Sequence, residues 1–189
     1  MKKIAIATLL ALVAISASAV EVGVEYQDQD GKNGNSNINA YQLQVKQDIN
    51  QNFAVDAKTI QNIQDANASN GGGVSSSQLE IGATGKYNLG YVSPYVRAGL
   101  GQRFITTENY GYYSIEPGVT VPVSTTGLTV GLGWRFQAPF STSEQFTTRT
   151  WRGTVGYDVT KSDNVYVGYD NQRGDLQYNT VRVGYAHKF

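Results

Sequence analysis

Apolar and polar residues alternate along most of the chain. A period of two marks extended strands with two unlike faces. Ten segments carry it: 20–27, 38–48, 53–62, 77–87, 92–104, 111–121, 127–138, 147–159, 164–171 and 177–189. Several reach about ten residues or more, the length at which a tilted strand crosses the hydrocarbon of a bilayer. The pattern is clearest late in the chain. In the seventh segment Leu128, Val130, Leu132, Trp134 and Phe136 share one face, and Thr129, Gly131, Gly133, Arg135 and Gln137 share the other. In the tenth, Val181, Val183, Tyr185 and Phe189 oppose Thr180, Arg182, Gly184 and Lys188. In the second, Tyr41, Leu43 and Val45 oppose Gln42, Gln44 and Lys46.

Alternation alone also fits a soluble sandwich or barrel, whose apolar face points inward. Three features favour a membrane. The first is the N-terminus. Lys2 and Lys3 precede an apolar run from Ile4 to Ile15, and Ala17-Ser18-Ala19 is a small-residue cleavage site. This is an export signal over residues 1–19, with the folded part expected to begin at Val20. No Cys lies near the site, so no lipoprotein anchor is expected. The second is the alternation of connection lengths. Stretches 50–52, 88–91 and 160–163 read as tight turns, whereas 28–37, 63–76, 105–110 and 139–146 are mostly longer and polar. Short periplasmic turns opposite longer outer loops are the rule for outer-membrane barrels. The third is a set of aromatics near the segment ends: Tyr26, Phe53, Tyr87, Phe104, Tyr157, Tyr169 and Phe189. Such rings favour the headgroup level, although strand propensity also enriches them.

In lipid an unpaired backbone group costs several kcal/mol, so an open sheet edge is not tolerated. The first segment should therefore pair with the last. The expected fold is all-β: a closed, antiparallel, up-and-down transmembrane β-barrel of about ten strands over 20–189, in the bacterial outer membrane.

If the apolar face meets lipid, the other face lines the interior, and that face is charged. Arg97, Arg103, Arg135, Arg149, Arg152 and Arg182 fall on segments five, seven, eight and ten. Glu21, Glu25, Asp56 and Glu80 lie earlier and Glu116 in the middle, with Lys46, Asp48, Lys58, Lys86, Asp158, Asp170 and Lys188 completing the set. Two readings stay open. The charges pair and fill a narrow interior, since an isolated buried charge is costly. Or an arginine wall faces an acidic wall across water and orients polar solutes. Ten strands lie close to the eight that side chains can fill. Inward glycines at 82, 99, 101, 131, 133, 156, 168 and 184 make room for Tyr95, Tyr112, Tyr166 or the arginines on one reading, and widen a pore on the other.

Other chemistry is sparse. Without Lys2 and Lys3 the 15 basic residues fall to 13 against 15 acidic ones, a formal charge of −2 that does not point to nucleic acid. There is no cysteine, hence no disulfide and no thiolate metal site. The single histidine, His187, falls at the predicted rim on the lipid face, with no nucleophile in view, so no enzyme is expected. Asn70-Gly71-Gly72-Gly73 lacks the Lys-Ser/Thr of a phosphate loop. Asp28 to Asn35 reads as an outer loop and lacks the distal Glu of a calcium loop. No metal or cofactor is expected.

The C-terminus carries a resemblance. Gly184-Tyr185-Ala186-His187-Lys188-Phe189 is similar to the assembly signal of bacterial outer-membrane proteins, matching at Gly184, Tyr185 and Phe189 and departing at His187. The resemblance implies insertion by the barrel-assembly machinery, with outer-membrane lipid and lipopolysaccharide as neighbours. As a whole the chain resembles small porin-like outer-membrane proteins. That implies passage of small hydrophilic, in particular anionic, solutes through a charged lumen; the rival is a non-conducting barrel acting through its outer loops.

Overall fold

A computed structural model describes residues 20–33, 37–64, 76–105, 109–123, 126–141 and 146–189. The expected export signal, residues 1–19, lies outside the described residues, as does Asn70 to Gly73.

Ten strands follow one another: β1 (Val20–Gly31), β2 (Ile38–Asn50), β3 (Phe53–Gln64), β4 (Ser76–Lys86), β5 (Ser93–Phe104), β6 (Asn109–Val123), β7 (Leu128–Pro139), β8 (Thr148–Asp158), β9 (Asp163–Gly174) and β10 (Tyr178–Lys188). Each pairs antiparallel with its chain neighbours, and β1 pairs with β10 from Glu21↔Lys188 to Gly31↔Tyr178. The barrel is closed, so neither edge of the sheet is left open to lipid. Closure extends to the last residue, whose N–H donates to the Val20 carbonyl at 2.9 Å.

The faces divide as the alternation predicts. Leu132 and Val183 are each 53% exposed on the outside. Trp134 and Trp151 pair across β7 and β8 on the same outer face. Arg182, between Val181 and Val183, is buried inside.

Two details differ from the expectation. β1 continues through Asp28 to Gly31, read above as loop, because β10 offers a partner at every step from Val181 to Tyr178. Polar composition there resembles a turn, but a strand that has left the hydrocarbon needs no apolar face. The connection from β9 to β10 is also short, spanning 175–177 at the long-loop end. It turns on Gly174, whose φ of 119° suits glycine alone; a Cβ there would strike the Thr147 carbonyl.

Candidate functional site: the barrel interior

Antiparallel register decides which side chains look inward. Glu25 pairs with Gly184 on one side and Gln42 on the other. The same inner row logic puts Asp56 opposite Gly82, Lys58 opposite Glu80, and Arg97 opposite Glu116. Arg135, Arg152 and Arg182 share that face, as does Arg103 nearer the outer end. Glu21 sits at the periplasmic mouth, 3.7 Å from the Lys46 Nζ.

Arg149 is the exception. It lies opposite Phe136 and Arg173, exposed on the outer face near the loop end of β8. Its expected place in the lumen is corrected by parity. Arg149 and Arg152 are three residues apart, and a period of two cannot turn both inward.

The mid-barrel charges do not stand apart across water. They meet in two groups. In the first, Glu80, which is 1% exposed, receives Lys58 at 3.3 Å, Arg135 at 2.5 Å and the Arg97 guanidinium, while Arg97 also grips Asp56 with Nε at 3.0 Å and Nη2 at 2.5 Å. In the second, acids and bases alternate: Glu116, Arg152, Asp170, Arg182 and Glu25, with every link at 3.0–3.1 Å. The groups hold five acids and five bases in all, one carrying a formal +1 and the other −1. Pairing of this kind is what a low-dielectric interior demands, because an unpartnered charge there costs several kcal/mol.

Glycines make the geometry possible. Arg97 on β5 reaches Asp56 on β3 by lying over Gly82 of the strand between them; a Cβ at Gly82 would strike its guanidinium. Arg182 crosses Gly168 in the same way to reach Thr154 on β8 at 3.0 Å. Tyr112 lies over Gly101, Tyr166 over Gly184, and Tyr95 over Gly118 with its hydroxyl donating to Glu116 at 3.1 Å. A Cβ on Gly99 would meet Glu80 and Ser114 at 2.8 Å. Most inward glycines therefore lie beneath a side chain that spans to the next strand but one. Gly131 and Gly156 differ, since an added Cβ there would meet only ordinary contacts from 3.4 Å upward.

Those two glycines line the larger of two interior chambers. It has a volume of about 750 Å³ and opens toward the periplasmic mouth, where Lys46, Lys86 and Lys188 all approach Asp48 within 4.0 Å. The outer chamber is about 80 Å³. Its walls are largely carboxamides and hydroxyls, including Gln27, Gln78 and Gln137, with Arg103 and Arg135 among them. The ion pairs lie between the two. This neutral polar lining was not singled out in the sequence, although the same inward parity marks it.

His187 lies where the sequence places it, on the outer face at the periplasmic rim, opposite Asp163. Its Nδ1 is 2.8 Å from the Asp163 carboxylate, which also accepts from the Tyr185 hydroxyl at 2.6 Å. The ring meets Phe189 edge-on at 4.6 Å. The polar residue at 187 is thus supplied with a partner. Among the described residues no group of acidic or histidine side chains is arranged to hold a metal ion.

No family model matches the chain, and no curated protein matches it in sequence. Solved structures match in shape. A KdgM porin in complex with disordered oligogalacturonate superposes with a TM-score of 0.54 at 14% identity, over 89% of this chain and 99% of that one. The translocator domain of the autotransporter NalP from Neisseria meningitidis gives 0.50 at 10% identity, over 100% of this chain and 95% of that one. The shared property is the barrel itself. With its apolar exterior and charged interior, this chain has the fold of a bacterial outer-membrane β-barrel.

Proposed function

We propose that the protein is a narrow porin-like barrel passing small hydrophilic solutes, with small anions favoured. One observation carries this reading: a mainly polar chamber lies on either side of a zone of ion pairs, with Ile38, Ile60, Phe146 and Leu176 as apolar patches in the outer one. An apolar constriction would stop water and ions alike. Here the barrier is made of charged side chains. Anion preference follows from the excess of one cation, Arg103, over the balanced mid-barrel groups. A solved barrel of the same fold holds an oligogalacturonate, an acidic sugar chain. In this chain the ion pairs fill the middle of the interior, which restricts passage to small solutes.

Planar-bilayer recording tests the proposal. We expect a conductance well below that of a general porin recorded alongside, with a reversal potential shifted toward anions. Silence under those conditions overturns it.

A second reading is favoured by the same five acids and five bases, which in this arrangement span the interior: a non-conducting barrel that binds surfaces or lipopolysaccharide through its outer loops. Loop deletion would then abolish binding in a protein that never conducted. On either reading the export signal over 1–19 directs export, and the assembly machinery reads Gly184 and Tyr185 on β10 with Phe189 just beyond it.

A further inference from the structure

We propose that Arg103 and Arg135 form a binding site for a small monocarboxylate in the outer chamber. Both arginines line it, one from β5 and one from β7. The Nε–H of each is buried and has no hydrogen-bond partner among the described residues. An orphaned buried donor is destabilising, and more so when it is charged. Neither Nε–H faces the chamber directly, so a carboxylate that draws either side chain toward it removes that cost.

Arg103 is also unlike the other inward arginines. Arg97, Arg135, Arg152 and Arg182 each touch a carboxylate. No acid among the described residues lies within ion-pair distance of Arg103. Its partners are weak: the Tyr110 hydroxyl at 3.3 Å, and the Phe146 ring, whose centroid is 5.7 Å from its Cζ. Among the described residues one positive charge is therefore left over in this chamber, which selects a monoanion. The planar guanidinium fork suits a carboxylate. Gln78 and Gln137 offer neutral donors and acceptors beside it. Phe146, held by stacking on Tyr110 at 4.6 Å, lines the chamber and gives a short apolar tail a surface to lie on. The chamber's 80 Å³ holds several waters, enough for an acid of two or three carbons.

The site does not depend on conduction. An anion can sit at the outer mouth of a barrel that passes nothing.

The test is NMR of the arginine Nε–H resonances in the full barrel, refolded in detergent micelles and titrated from low salt with acetate or with chloride. Acetate should shift two of these resonances saturably, with a Kd in the millimolar range. Arg103→Gln should remove one of them and weaken acetate binding at the other about tenfold, the loss expected for a charge-assisted hydrogen bond. If that variant does not fold, Arg103→Lys gives the same assignment and the same direction. Chloride should act at least tenfold more weakly. Absence of saturable shifts overturns the site, as does unchanged acetate affinity in the folded Arg103 variant. An equal response to chloride overturns the carboxylate assignment. A barrel silent in bilayers that shows the acetate shifts keeps the site and loses the porin reading; a conducting barrel without them does the reverse.

Discussion

The two ion-pair groups inside the barrel hold five charged residues each, in different patterns. Around Glu80 three cations converge on one carboxylate, and Asp56 joins through Arg97 alone. In the other group Glu116, Arg152, Asp170, Arg182 and Glu25 form a line in which each arginine has an acid on either side. A hub concentrates the stability of its members in one residue, whereas a line spreads it. Loss of the hub leaves three like charges together with one remaining acid. Loss of a middle link leaves each neighbour still paired. The composition is almost equal, so connectivity decides how brittle each half of the interior is.

Single substitutions test that contrast. Glu80→Ala should be the most damaging, lowering stability by about 3–5 kcal/mol in urea unfolding from lipid vesicles, as for a buried charge stripped of its partner. Asp170→Asn should cost about 2 kcal/mol or less, because Arg152 keeps Glu116 and Arg182 keeps Glu25. Equal losses for the two would erase the distinction between hub and line. The glycines sharpen the comparison at a smaller scale. Gly184→Ala places a methyl group against the Tyr166 ring and should cost about 1 kcal/mol, at the low end for overpacking, while Gly131→Ala meets nothing nearer than 3.7 Å and should be near neutral in the same assay. Arg149→Gln should have the least effect. On the outer face it should change stability by no more than about 0.5 kcal/mol and leave ion selectivity unaltered. A selectivity shift comparable to that of Arg152→Gln would return Arg149 to the lumen.

Much of this was legible in the residues. The pairs Leu132/Arg135 and Val183/Arg182 already place oil outside and charge inside. The inward glycines, 101 and 184 among them, were readable as room for tyrosines or arginines or as widening of a pore, and only the structure shows Tyr112 over Gly101 and Tyr166 over Gly184. Arg149 was misplaced although the information was present: counting in twos from Arg152 excludes it. β1 was cut short at Gln27 because Asp28 to Gly31 has the composition of a turn, and composition says nothing of whether β10 extends far enough to pair with it.

The partners of the charges were a different matter. Asp56 and Arg97 are 41 residues apart on strands that are not neighbours, and Glu80 and Arg135 are 55 apart. Whether such groups touch depends on the stagger between strands and on which residue lies between them, here Gly82. The chain's own order of apolar and polar residues determined strands, facing and closure, because those follow from a period of two and from the cost of bare backbone in lipid. Tertiary structure alone decided that Arg97 bridges to Asp56 across Gly82, and that Arg103 has no acid beside it among the described residues. Both depend on distances across the interior, which exist only once ten strands have closed in one register.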